Sequence, residues 1–292
     1  MSIMETMPNE LLPFFKKKAK RGIVTLALGD ALYGNLATNL AMSLKHAEDM
    51  PIALIYTPSA IANIGNEYLS LFSHKILFDE SKVLIDGVHH WHLGKMFLGE
   101  YTPFEKTIFL DADTMWNNKA SLNGIFDELN GMPTVFQTKG SFNRGTSYTF
   151  WGDARDIMGK YGINDIPCTY GGFIYFENDT MLQKAKEIYL EQPTIAEKWA
   201  TGIPDEFCFN VALALTGQTL PDYEPIYFPA MHGGRNKHQI EQYDGFTVSG
   251  NMMGGQLKMT YEHWAKMYAH WLKLPYIKVW DKRDTINERK EQ

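Results

Sequence analysis

Asp111 and Asp113 stand one residue apart in the stretch Thr-Ile-Phe-Leu-Asp-Ala-Asp-Thr-Met, residues 107–115. A short β-prone run that ends in two carboxylates fits a buried parallel strand. Such a strand would deliver its acids to the carboxyl edge of a sheet, where open α/β sheets bind their ligands. Carboxylate oxygens suit Mg²⁺ or Mn²⁺, ions often held by one or two acids together with substrate phosphates. If both aspartates lay on a regular strand they would share a face; a bend after Asp111 would part them. The competing description is a strand followed by an acidic turn. The apolar run before the pair and Thr114 after it favour the ligand-binding description.

The elements that must position these acids are those of an ordinary globular chain. Its 292 residues suffice for one large domain or two small ones. Hydrophobic residues at 45% and charged residues at 21% exclude a disordered chain. A net charge of −6 excludes a molecule that binds nucleic acid by its overall charge, although local basic patches stay open. Cys168 and Cys208 are too few for a disulfide framework and have no metal-type spacing. No signal peptide is visible at the N-terminus, and no apolar run approaches the roughly 20 residues of a membrane-spanning helix. The expectation is a soluble, cytoplasmic protein with no obligate protein partner evident.

Strand-like and helix-like segments alternate. Ile23–Leu28 reads as a buried strand closed by the turn Gly29-Asp30, and Leu36, Leu40 and Leu44 then mark one apolar helix stripe. Pro51 ends that helix and Ile52–Thr57 supplies the next strand. This β-α-β order favours a parallel sheet with a right-handed crossover. Val83–Ile85, Thr107–Leu110, Thr134–Gln137 and Phe173–Phe176 are further strand candidates, and Thr180–Leu190 and Phe207–Leu215 are helix candidates. Residues 1–245 read as one α/β domain. Residues 246–292 read as a helical, basic and aromatic C-terminal appendage, set off by Gly245, Gly250, Gly254 and Gly255.

Three segments stand out together: Val-Thr-Leu-Ala-Leu-Gly-Asp-Ala-Leu-Tyr-Gly-Asn near the start, Glu-Lys-Thr-Ile-Phe-Leu-Asp-Ala-Asp-Thr, and Tyr-Gly-Gly-Phe-Ile-Tyr-Phe-Glu-Asn. In combination they resemble the GT-A glycosyltransferases, and within them the glycogenin-like enzymes of family 8. The likeness spans roughly residues 22–232. It implies a Rossmann-like, mostly parallel sheet flanked by helices, and a metal-dependent transfer of sugar from a nucleotide-sugar donor to an acceptor hydroxyl, with retention. It places Leu28, Gly29 and Tyr33 at the nucleotide base and Lys95 against the nucleotide. Asp111 and Asp113, with Ala112 between them, would hold the Mn²⁺ or Mg²⁺ that bridges the donor diphosphate. A third metal ligand is implied at His232, in Met231-His232-Gly233-Gly234-Arg235-Asn236-Lys237, with His270 as the rival. The spacing of this segment departs from the family by one residue and lacks its following Pro-Trp. The glycine pair lets backbone amides approach an anion, and Arg235 and Lys237 can neutralise diphosphate charge.

Gly171 and Gly172 correspond to small residues that leave room for sugar and acceptor; the plain alternative is a turn before a strand. Asp205 and Glu206 fall where the family places a catalytic acidic pair member near the anomeric carbon. The family carries glutamine where this chain has Glu206. Read without the resemblance, Lys95 is a solvated lysine and Tyr33 a packing aromatic.

The acceptor is the least defined part. Lys16-Lys17-Lys18-Ala19-Lys20-Arg21 is a basic cluster, and residues 258–292 carry eight Lys or Arg against five Asp or Glu. Trp264, Trp271, Tyr276 and Trp280 interleave with that charge. A helix packed on the domain with a solvated basic face accounts for this. So does a surface for a large anionic acceptor, either membrane-associated glycan or nucleic acid. Residues 258–292, with Ser249-Gly250-Asn251 before them, also resemble phage-encoded glycosyltransferases. That likeness implies a hydroxymethylated base in DNA as acceptor. Residues 141–144 and 148–151 are candidates for an acceptor loop. Two other functions compete: a haloacid-dehalogenase-like phosphatase with Asp111 as nucleophile, and a catalytically idle nucleotide-sugar binding module. Against the phosphatase, 110 residues with their own β-α-β unit precede Asp111, and no downstream strand ends in paired acids.

Overall fold

The computed structural model describes residues 19–116, 121–143, 151–191, 202–227, 244–247, 266, 269–270 and 273–277. The chain opens with β1 (Ala19–Ala27), α1 (Ala31–Ala47), β2 (Ile52–Tyr56), the short helices α2 (Pro58–Ile61) and α3 (Asn66–Leu69), and β3 (His74–Leu77). A hairpin of β4 (Leu84–Ile85) and β5 (Val88–His89) follows, then a 3₁₀ helix over Trp91–Phe97 and α4 (Leu98–Tyr101). Next come β6 (Phe104–Leu110), β7 (Thr114–Trp116), α5 (Leu122–Glu128), β8 (Thr134–Asn143) and α6 (Ala154–Tyr161). The remaining elements are β9 (Asp165–Phe176), α7 (Thr180–Leu190), α8 (Asp205–Thr216), β10 (Ile226–Tyr227) and β11 (Gly245–Thr247).

Six strands form the main sheet in the order β3-β2-β1-β6-β9-β8. β3, β2, β1 and β6 run parallel, while β9 is antiparallel to both β6 and β8. The chain therefore builds outward from β1 in one direction, then returns to lay β6 on β1's other side. The gap beyond the carboxyl ends of β1 and β6 is the topological switch point, the place where open α/β sheets take their ligands. Asp111 is the first residue after β6, and Leu28-Gly29 follows β1.

Period-two alternation explains the two buried faces. Ile23, Ile108 and Leu110 pack with α1, whereas their neighbours Val24 and Phe109 pack with the 3₁₀ helix, α6, α7 and α8. Asp111 continues the parity of Phe109 and so turns to the second face. Val83–Ile85, expected as a sheet strand, divides instead. Val83 ends a 3₁₀ turn whose N-cap, Asp79, accepts from the Ser81 N–H, and Leu84–Ile85 pair only with β5.

α1 starts at Asp30, whose side chain accepts a hydrogen bond from the Leu32 N–H at 2.7 Å, the usual N-cap arrangement. Gly34 lets α2 approach: a Cβ there would lie 2.0 Å from the Ala60 carbonyl oxygen. Alanine is the better helix former by roughly 0.8–1 kcal/mol, but backbone is the obstacle and cannot rotate away. Gly34→Ala is therefore expected to destabilise the fold by about 1–3 kcal/mol net. A urea melt checks this, and an unchanged or raised midpoint would contradict the close approach.

The small sheet β10-β11-β7 and the C-terminal residues dock on the same body. β11 straddles the division expected at residues 245–246 and pairs antiparallel with β7, Thr247 opposite Thr114. Ala269 is buried in the α1 cluster, with Leu274 and Tyr276 packed against it. Asn39, buried on α1, donates to the Ile277 carbonyl at 2.9 Å and accepts from the Ile277 N–H at 3.0 Å. No helix among the described residues is long and apolar enough to cross a membrane.

Candidate active site

β6 stops at Leu110 because the chain turns: the Thr114 N–H reaches the Asp111 carbonyl at 3.0 Å, and β7 departs into the smaller sheet. The bend parts the two aspartates. Asp111 faces the helical side of the main sheet, and half-buried Asp113 sits in the turn with buried Ala112 between them. The Asp111 N–H is held by the Gly172 carbonyl at 3.0 Å. On β9 that region is irregular, because the register with β8 jumps between Phe136 opposite Ile174 and Gln137 opposite Tyr170. The jump leaves Gly171 and Gly172 out of step with β8, the kind of irregularity that re-aims groups beside a site.

The 3₁₀ helix Trp91–Phe97 ties the ends of β1 and β6 together. At its start, buried His90 lies 3.1 Å from the Tyr189 hydroxyl on α7. A Cβ on Gly94 would meet Leu28 Cδ1 at 2.5 Å, so the helix rests directly on the end of β1. Gly29 has φ +83, open to glycine, and a Cβ there would come within 2.8 Å of the Trp91 indole. Trp91 in turn stacks flat on His89, with ring centroids 4.6 Å apart. The Gly29 N–H donates to Thr57 Oγ1 at 2.9 Å, which fixes the turn.

Lys95, on the same helix, is the centre of the cluster. Its side chain is only 16% exposed, so it is not the solvated lysine that its residue type suggests. Nζ lies 3.0 Å from Asp111 Oδ1, 3.1 Å from Asp111 Oδ2 and 2.8 Å from Asp205 Oδ2. It also donates to the Gly171 carbonyl at 3.4 Å. Asp205 and Glu206 occupy the first turn of α8, where the helix dipole favours acids. Asp205 is buried and Glu206 half-buried. A Cβ on Gly171 would stand 3.2 Å from the Phe209 ring and 3.4 Å from Asp205 Oδ2, so the Gly171 backbone packs close against α8.

Two carboxylates share one ammonium, and their ionisation shows it. Burial works against the charge of Lys95, but Asp111 and Asp205 together outweigh it and hold its pKa above the usual lysine range. Burial also pushes Asp205 upward, yet Lys95, His92 and the Glu206 N–H prevail and keep its carboxyl below the ordinary value. Asp111 goes the other way: burial and the Asp205 charge raise it despite the pull of Lys95. Two carboxylates thus face one ammonium, an arrangement that leaves room for added positive charge.

The structure thus joins Lys95, Asp111, Gly171 and Asp205 in direct contact, with Leu28 and Gly29 linked to them through the 3₁₀ helix. Tyr33 lies on α1, packed against that helix's own cluster. His232, Arg235 and Lys237 lie outside the described residues, as do residues 144 and 148–150. The rival His270 is exposed beside Ala269. Trp91 and His92 were missing from the sequence reading; His92 is close enough for its charge to act on both Asp111 and Asp205. Their proximity to Lys95 in sequence was the only available signal. Among the described residues, no three His, Cys, Asp or Glu gather as a ready-made metal cluster. A cavity of about 300 Å³ bordered by Phe104, Glu105, Glu177 and Asp179 opens at the opposite end of β6 and β9, away from this chemistry.

No family model and no curated protein matches the sequence. Solved structures do match. The bifunctional glycosyltransferase WbbM aligns over 81% of this chain at 14% identity with a TM-score of 0.57. The match spans only 47% of the WbbM chain, so this chain covers about half of it. The galactosyltransferase LgtC, in complex with donor and acceptor sugar analogues, aligns over 84% of this chain and 95% of its own at 13% identity, TM-score 0.55. An LgtC active-site mutant with glutamine changed to glutamate aligns over the same shares at 11% identity, TM-score 0.53. A mostly parallel sheet with its switch point at Asp111, matched along most of the chain by these enzymes, gives this protein the GT-A glycosyltransferase fold.

Proposed function

We propose that this protein transfers a sugar from a nucleotide-sugar donor to an acceptor hydroxyl, with retention and with help from Mn²⁺ or Mg²⁺. The observation that carries this reading is the meeting of Asp111, Lys95, Gly171 and Asp205 at the switch point of a GT-A sheet. Asp111 and Asp113 offer hard oxygen donors at a strand end, and the cluster around Asp111 holds two carboxylates to one ammonium, so the residues fit a divalent ion. When bound, that ion would offset the charge building on the departing diphosphate. His232 is the proposed third ligand.

Leu28 and Gly29 receive the base, with Tyr33 beside them, and the Trp91 indole over Gly29 adds an apolar wall. Gly171 and Gly172 make room for the sugar. Lys95 and Lys237 meet donor charge. Asp205 and Glu206 stabilise the positive charge that develops at the anomeric carbon. Pairing to Lys95 makes Asp205 a poor nucleophile, which favours a front-side, ion-pair-like route over a covalent one.

The test is incubation with a panel of nucleotide sugars and Mn²⁺, following donor hydrolysis. Release of nucleoside diphosphate from one donor is expected. Binding without turnover would mark an idle module, and hydrolysis of a generic phosphate ester at ordinary enzymatic rates would overturn the reading in favour of a phosphatase.

For the acceptor, the basic and aromatic C-terminal sequence supports a large polyanion, with hydroxymethylated DNA the first choice and a membrane-associated glycan the second. Lys266 and Lys273 are exposed. Transfer to DNA should then fall with salt at a log–log slope of about −0.9 per phosphate contact. Neutralising Lys266, Lys273, Lys278 and Lys282 should raise the acceptor KM and leave donor hydrolysis unchanged. Efficient transfer to a small neutral glycan with a flat salt profile would refute the polyanion.

A further inference from the structure

The Lys95 ammonium sits in a setting built from oxygens: both carboxylate oxygens of Asp111, one of Asp205 and the carbonyl of Gly171, all within 3.4 Å. Carboxylates and a carbonyl around a buried cation are the donor types that hard metal ions choose. The group is also one negative charge in excess, two acids to one ammonium. Lys95 lies against both oxygens of Asp111, so a metal ion approaching that carboxylate meets a like charge about 3 Å away from it. Asp205, 2.8 Å from Nζ, offers Lys95 a second anchor, and a bound diphosphate would offer it a third.

We infer that Lys95 is the built-in counter-ion of Asp111, and that metal enters this site by cation exchange, displacing the ammonium from Asp111 onto Asp205 and the incoming diphosphate. The inference rests on the proposed metal role of Asp111. Its consequence is an order of events. Metal alone meets a competitor that is covalently part of the chain and binds weakly. Metal with a diphosphate binds well, because the anion accepts the ammonium that the metal releases. Coupling of this kind is reciprocal, so metal must strengthen diphosphate binding by the same factor. It guards Asp111 from stray divalent ions until a donor arrives.

The experiment titrates Mn²⁺ alone into the full chain, with free Mn²⁺ read by electron paramagnetic resonance. Wild type, Lys95→Met and Asp113→Asn are compared, and each is repeated with a panel of nucleoside diphosphates. Lys95→Met is expected to bind Mn²⁺ alone at least about tenfold more tightly than wild type, a 1.4 kcal/mol difference. The same variant should lose most of the gain in Mn²⁺ affinity that the nucleoside diphosphate gives wild type. Should the surplus acid charge prevent Lys95→Met from folding, Lys95→Met combined with Asp205→Asn brings the surplus back to the single negative charge of wild type and must show the same tightening. Equal or weaker Mn²⁺ binding in the Lys95 variants, with wild-type binding still dependent on Asp113, overturns the exchange and leaves the metal site standing. Absence of Mn²⁺ binding in every protein, with and without the nucleoside diphosphates, overturns the metal reading and the exchange together.

Discussion

Asp113→Asn is expected to yield a folded protein whose nucleoside-diphosphate affinity no longer responds to Mn²⁺ and whose turnover falls by about 10²–10³ or more. The magnitude follows from the several kcal/mol that a metal supplies to a developing phosphate charge, at 1.36 kcal/mol per tenfold. The fold should survive because Asp113 lies half-buried in a turn, outside the strand and both apolar clusters. The turn itself is closed by backbone, from the Thr114 N–H to the Asp111 carbonyl, and asparagine leaves that bond untouched. Calorimetry with and without Mn²⁺ checks the binding half of the expectation. Unchanged metal-assisted binding would show that Asp113 is not a ligand.

Asp205→Asn should split binding from chemistry. The substitution keeps the shape of the side chain and leaves Lys95 balanced by Asp111 alone, so the buried group becomes neutral rather than short of a partner. Stability should therefore change little, and donor should still bind, with KM raised modestly because the displaced Lys95 loses one of its anchors. The value of kcat should fall by about 10²–10³, the scale seen when one group stabilising transition-state charge is removed. A rise in KM with unchanged kcat would instead make Asp205 a donor-positioning residue acting through Lys95.

The first half of the sheet was legible because its strands are continuous apolar runs with clear stops. Ile23–Leu28, Ile52–Thr57 and Thr107–Leu110 each fall within an observed strand or overrun its end by one residue, and the Leu36, Leu40, Leu44 stripe lies within α1. Asp111 was legible for the same reason, as the acid that ends such a run. The β8–β9 pair was read too short. Its early part, Asp165 to Gly172, mixes proline, threonine and glycine and is held by partners far along the chain, which local pattern cannot report. His92 escaped, and Lys95 was reached only through the family resemblance, because a 3₁₀ helix carries no 3.6-residue periodicity. The burial of Lys95 comes from three other segments, the end of β6, the irregular middle of β9 and the start of α8. A lysine's neighbours in sequence say nothing about acids 16 and 110 residues away.

The double hydrogen bond between Asn39 and Ile277 has a consequence for synthesis of the chain. The two residues are separated by 238 positions. At translation speeds of roughly 5–20 residues per second, Ile277 emerges about 10–50 s after Asn39. Throughout that interval a side-chain amide destined for burial can be satisfied only by water, so the α1 surface around it stays hydrated while β1, β2 and β6 assemble beneath. Sealing of that surface is thus reserved for the C-terminal segment. A nascent chain halted before Ile277 carries an open, wet seam along its first helix, a feature that a ribosome-associated chaperone or protease can read as unfinished.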